Sequence, residues 1–150
     1  MDDSVFKAIL HYCKYQERCH AEVRNKLYEL GCTTPEVEQQ LVRVIEVNAL
    51  NEERFARAYA GGKFRIKQWG REKIKQQLKL RKISDYCIKK AMGEIDGDAY
   101  DNTLRKLAIK KVNEIKGDRS VLSRKSKLYR YLVQKGYERD MVMDLVKELI

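Results

Sequence analysis

Proline occurs once in 150 residues, too rarely for a loop-rich fold or a β-sandwich. No run of about 18 apolar residues exists, so no membrane-spanning helix is expected. There are two histidines, His11 and His20, and neither has a nucleophile-and-base pattern around it. No Gly-x-x-x-x-Gly-Lys-Ser/Thr phosphate loop occurs, and Gly61-Gly62-Lys63 is too short to stand for one. Paired acids such as Glu52-Glu53 suit the start of a helix. No catalytic residue and no cofactor is therefore assigned. The four cysteines, Cys13, Cys19, Cys32 and Cys87, do not follow the paired spacing of zinc sites. They are expected to be reduced thiols behaving as small buried hydrophobes, with no metal bound. The start Met1-Asp2-Asp3 is acidic where a signal peptide is basic, so the expected location is cytoplasmic.

What the chain has is a repeated apolar template. Val23, Leu27, Cys32, Val37, Leu41 and Val44 recur at the same spacing as Ile74, Leu78, Ile83, Ile88, Met92 and Ile95. A third copy is Leu128, Leu132, Tyr137, Val142, Val146 and Leu149. The steps are helical, so each copy reads as two short helices joined by a tight connection. A recurrence of roughly 50 residues marks stacked supersecondary units. The reading is all-α, in three tandem three-helix repeats: residues 1–50, 51–97 and 98–150.

Within the first repeat, the predicted helices run from about Ser4 to Tyr15, Cys19 to Leu30, and Thr34 to Val47. Asp2 and Asp3 favour the first helix start. On that helix Val5, Ala8, Ile9 and Tyr12 share a face. Gly31-Cys32 is expected to form a Schellman-type cap, and Thr34 an N-cap with Pro35 at the first helical position. Asn51 caps the second repeat. Gly61-Gly62 weakens its first helix, while Phe64, Ile66 and Trp69 extend an apolar face. Helices are then expected at about 71–81 and, capped by Ser84, to about Glu94. The third repeat is expected at about 98–115, 123–135 and 139–149, with Gly136-Tyr137 repeating the cap. Lys82 stands where the other copies have glycine, and a left-handed lysine costs about 1 kcal/mol, so a different turn is expected there. Asp96-Gly97-Asp98 and Lys116–Ser120 are the expected flexible points.

The net charge of +10 is concentrated in the middle repeat. Residues 63–90 hold eleven basic and two acidic side chains. At 100° per residue, Arg71, Lys75, Lys79 and Lys82 form a stripe about 80° wide beside Ile74 and Leu78. Lys63, Arg65 and Lys67 lead into it, interleaved with Phe64, Ile66 and Trp69. Four like charges on one stripe repel one another, which argues against an uncommitted solvated face. The segment suits phosphates or a carboxylate-lined protein groove. The candidate contact set is Lys63, Arg65, Lys67, Arg71, Lys73, Lys75, Lys79, Arg81 and Lys82. Trp69, the only tryptophan, is read as a packing residue ahead of a stacking one. Tyr12, Tyr15, Tyr28, Tyr59, Tyr129 and Tyr131 are read as packing residues too.

The run Leu50-Asn51-Glu52-Glu53-Arg54-Phe55-Ala56-Arg57-Ala58-Tyr59, then Trp69-Gly70, Ile74, Leu78 and Lys82-Ile83, resembles the RecX family of bacterial RecA regulators. Glu22, Leu27, Leu30-Gly31 and Pro35-Glu36-Val37 add to the resemblance, which covers essentially the whole chain and is weakest after about Asp96. The family's glycine before Ile83 is replaced by Lys82, and Asn51 stands where aspartate is common. The resemblance implies tandem three-helix repeats in an elongated, curved array. It also implies a non-enzymatic protein that lodges on the RecA filament on single-stranded DNA and lowers RecA's recombinase, ATPase and coprotease activities. Direct DNA contact is compatible with the charge, no membrane partner is expected, and a monomer is the expected state. The alternatives are a general nucleic-acid-binding or helix-turn-helix transcription-regulating protein, with Arg71, Gln76 and Gln77 as base readers, and a helical adaptor with no nucleic acid involved.

Overall fold

The computed structural model of the chain describes residues 3–150. Among these residues there are nine α-helices, one π-helical turn and no strand. The helices are α1 (Asp3–Tyr15), α2 (His20–Glu29), α3 (Thr34–Glu46), α4 (Glu52–Gly62), α5 (Arg71–Leu80), α6 (Asp85–Met92), α7 (Gly97–Ile115), α8 (Val121–Lys135) and α9 (Arg139–Leu149). The π-helical turn is Lys63–Lys67, between α4 and α5. The fold is all-α, with three-helix repeats in chain order. None of the described helices is long and apolar enough to cross a membrane.

The template is the buried skeleton. Cys32, Met92 and Leu149 are half-buried, and every other template residue is buried. Fully burying a leucine or isoleucine contributes about 1.5–3 kcal/mol, so these rows supply much of the driving force for packing.

The chain divides into two compact units: residues up to Tyr59 with Leu78–Ala91, and Ala60–Gln77 with Met92–Ile150. In the first, α1, α2 and α3 pack mutually around Ile9, Cys13, Val23, Leu27, Val37, Leu41, Val44 and Leu50. Arg54, on α4, ties that helix to the α1–α2 connection through Nε–H donation to Glu17 Oε1 at 2.5 Å. Ser84 Oγ and Cys87 Sγ both donate to Glu52, at 3.3 and 3.4 Å. Burial pushes the thiols of Cys13, Cys19 and Cys87 above their ordinary pKa. In the second unit, α7, α8 and α9 pack mutually. Its largest buried side chains are Tyr100 and Tyr137, whose ring centroids lie 5.1 Å apart.

Helix ends follow local chemistry, with several differences from the sequence reading. The cap of α3 is Thr33, not Thr34. The Thr33 N–H donates to Glu36 Oε1 at 2.9 Å, closing a capping box, so Pro35 falls inside the first turn. These hydrogen bonds hold the Glu36 carboxyl below its ordinary pKa. Helix α8 begins at Val121 instead of Ser123 because Ser120 Oγ accepts from the Ser123 N–H. Asp96 caps α7 through the Ala99 N–H, so Gly97 and Asp98 belong to a helix rather than a loose linker. The 116–120 connection is organised by Asp118, which accepts from the Ser120 N–H, Ser123 Oγ and Lys127 Nζ. Those bonds push its carboxyl well below the usual range. Helix α6 ends at Met92, two residues short of the expected Glu94. The helix-start role of Asp2 lies outside the described residues.

The caps after α2, α5 and α8 are the same motif. The residue past the helix donates back three positions: Gly31 to Tyr28, Lys82 to Lys79 and Gly136 to Val133. The next residue donates back five: Cys32 to Leu27, Ile83 to Leu78 and Tyr137 to Leu132. These are the two bonds of a Schellman motif. Lys82 takes the left-handed conformation at φ 59°, so the different turn expected there does not form. The buried Ile83 and the paired backbone bonds outweigh the cost of a left-handed side chain.

Candidate functional site

The basic segment begins where α4 loses its α geometry. The Trp69 N–H reaches back to the Lys63 carbonyl and the Gln68 N–H to that of Phe64, and Gln68 ends the turn left-handed at φ 58°. The wider turn keeps Phe64 buried and half-buries Trp69, while Arg65, Ile66 and Lys67 are exposed. Ile66 therefore does not extend the apolar face expected with Phe64 and Trp69. Tyr137 Oη donates to the Gln68 carbonyl at 2.9 Å, and Lys135 Nζ to that of Lys67 at 3.4 Å. Both bonds hold the turn from behind.

Trp69 is neither core nor bare platform. Lys63 Nζ lies 5.0 Å and Lys73 Nζ 4.6 Å from its ring centroid, within cation–π range. These are the two candidate cations that the fold brings together.

Arg71 has a different setting. Its backbone N–H donates to Tyr100 Oη at 3.0 Å, its guanidinium lies 3.9 Å over the Tyr100 ring, and Nη1 donates to Glu138 Oε2 at 2.7 Å. Tyr100 Oη in turn donates to Glu138 Oε1. Burial first, and the bond to Glu138 second, drive the Tyr100 phenol far above its ordinary pKa. Arg71 is thus tied into the interior of the second unit by a carboxylate and an aromatic ring, which is poor geometry for a base-reading arginine.

Beneath this cluster two backbones meet. The Gly70 N–H donates to the Lys135 carbonyl at 2.8 Å and the Glu72 N–H to that of Gly136 at 2.9 Å. A Cβ on Gly70 would lie 2.3 Å from the Gly136 carbonyl carbon, and one on Gly136 would lie 2.3 Å from Lys73 Cβ. The start of α5 thereby satisfies carbonyls at the end of α8, groups that a helix terminus otherwise leaves unpaired.

The remaining candidates stand on or just after α5. Lys75 is half-buried, with Nζ 3.8 Å from Glu72. Lys79 and Lys82 are exposed, and Lys82 has left the helix, so the fourth member of the stripe points from a turn. The Arg81 guanidinium lies 4.8 Å from the Tyr59 ring centroid. Of the tyrosines read as packing residues, Tyr15 and Tyr28 are exposed. Sequence reasoning missed Tyr100, Glu138 and the Gly70–Gly136 approach. Only the glycine in each loop hinted at them.

Residues 51–92 match the family model for the RecX second three-helix domain, and residues 98–146 match that for the RecX third three-helix domain. The chain belongs to the RecX family. It is 34% identical over 131 residues to the regulatory protein RecX of Clostridium perfringens, covering 85% of this chain and 60% of that protein. It is 28% identical over 139 residues to the regulatory protein RecX of Prosthecochloris aestuarii, covering 93% of this chain and 89% of the other. The crystal structure of RecX from Lactobacillus salivarius superposes with a TM-score of 0.85 at 24% identity, covering 98% of this chain and 95% of that one. That likeness shows the fold. RecX is thus a family of regulatory proteins, and this member spans 60% of the length of its Clostridium perfringens relative.

Proposed function

We propose that this RecX-family chain binds the RecA filament on single-stranded DNA and lowers RecA's recombinase, ATPase and coprotease activities. The observation that carries the reading is the cationic segment 63–90, eleven basic side chains against two acidic ones, on a chain of a regulatory family. Arg65, Lys67, Lys79 and Lys82 present that charge to solvent, where phosphates or acidic protein surfaces can meet it. Residues 1–50, 51–97 and 98–150 serve as the three repeating elements of a cytoplasmic, monomeric, non-catalytic regulator.

The test is ATP hydrolysis by preformed RecA–single-stranded-DNA filaments, with excess DNA present. Inhibition far below one molecule per RecA supports filament regulation. Inhibition that begins only when the DNA itself is saturated transfers the reading to a general nucleic-acid binder.

A further inference from the structure

We propose that the π-helical turn Lys63–Lys67 reads single-stranded nucleic acid, with Ile66 packed on an unstacked base and Arg65 and Lys67 on the flanking phosphates. The inference rests on the nucleic-acid half of the reading above and names the contact.

A single exposed isoleucine needs no explanation by itself. Ile66, however, is 79% exposed at the outer side of a turn whose inner side is closely held. Phe64, two residues earlier, is buried, and the Lys67 and Gln68 carbonyls are bonded by Lys135 and Tyr137. A π turn inside a helical segment is rare and concentrates at functional positions. Left-handed Gln68 is a further backbone cost that the surrounding bonds sustain. The outcome is an aliphatic side chain displayed on a preorganised support.

Charge decides the occupant. From Lys63 through Arg71 the chain has no acidic residue, and both immediate neighbours of Ile66 are exposed cations. Protein interfaces deplete lysine at their centres, whereas phosphate contacts are made by lysine and arginine of one sign. Aliphatic wedges flanked by such cations enter base steps. A single strand offers base faces at lower unstacking cost than a duplex. The occupant is therefore a single-stranded polyanion with exposed bases.

The experiment uses the full chain and a single-stranded oligonucleotide containing 2-aminopurine, whose fluorescence reports unstacking. Wild type is expected to change that fluorescence on saturation. Ile66→Ala, with helicity checked by circular dichroism, is expected to lose the change and to bind about 5-fold more weakly. Its salt dependence should stay the same. Arg65→Gln with Lys67→Gln should instead flatten the log–log salt slope by about 1.4, two phosphates at about 0.7 each.

An Ile66→Ala protein that keeps both signal and affinity overturns the proposal. If that variant also loses inhibition of RecA-filament ATP hydrolysis, Ile66 docks on protein instead. Wild type that changes the fluorescence without inhibiting the filament leaves the proposal intact and removes the regulatory reading.

Discussion

The turns that follow α5 and α8 make the same two backbone bonds, yet one places a lysine and the other a glycine at the left-handed position. At Lys82 the side chain is exposed, so the cap imposes only the ordinary cost of a left-handed residue. At Gly136 the added constraint is space: a Cβ would meet Lys73 Cβ at 2.3 Å and the Gly70 carbonyl oxygen at 2.9 Å. Gly31, after α2, has nothing within 4 Å of such a Cβ. The motif itself therefore tolerates a side chain at the cost of left-handed strain, as Lys82 shows. Of the three caps, the one at Gly136 excludes a side chain for lack of space, because a second backbone is pressed against it.

The contrast is broken most sharply at Gly136. Gly136→Ala is expected to cost about 2–4 kcal/mol, combining left-handed strain with overpacking against α5. Chemical denaturation measures it, and a loss below about 1 kcal/mol would show that the close approach relaxes freely.

Next in size is the same contrast drawn between two basic residues of one helix. Arg71→Gln leaves the Glu138 carboxylate, partly buried beside Tyr100, without its cation. The expected loss is about 1–3 kcal/mol. Exposed Lys79→Gln should stay within about 0.5 kcal/mol of wild type. Equal shifts in melting temperature for the two variants would mean that Arg71 is not part of the interior.

The smallest effect sharpens the cap comparison. Lys82→Gly relieves left-handed strain while adding freedom to the unfolded chain, so a gain of about 0.5–1 kcal/mol is expected. Gly31→Ala, in open space, should lose about 1 kcal/mol. Opposite signs at two equivalent turns are the prediction, and thermal unfolding of both variants checks it.

Helix content and repeat spacing were legible because burial follows helical periodicity, and all template residues but the half-buried Cys32, Met92 and Leu149 lie in the interior. Boundaries were less so. Thr33 and Ser120 displace the expected starts at Thr34 and Ser123, because neighbouring hydroxyls compete to cap and only the folded chain chooses between them. The basic segment was legible as charge but not as geometry. Ile66 is apolar like Phe64 and Trp69, but helical steps already set it about 200° from Phe64, and it stands exposed while Phe64 is buried. Arg71 looks like its neighbours Lys75 and Lys79 on a helical wheel, but its partners are Tyr100 and Glu138, 29 and 67 residues away.

By itself, then, the sequence determined an all-α chain of three-helix repeats with a cationic middle, because periodicity and charge are local properties that survive without knowledge of contacts. Tertiary structure decided which cations bind inward, where the helix widens and which glycine has no substitute. Each of those depends on a partner distant in the chain: Tyr137 behind the π turn, Glu138 on Arg71, and Gly70 against Gly136. A pairing across such separations follows from packing, not from the spacing of residues along the chain.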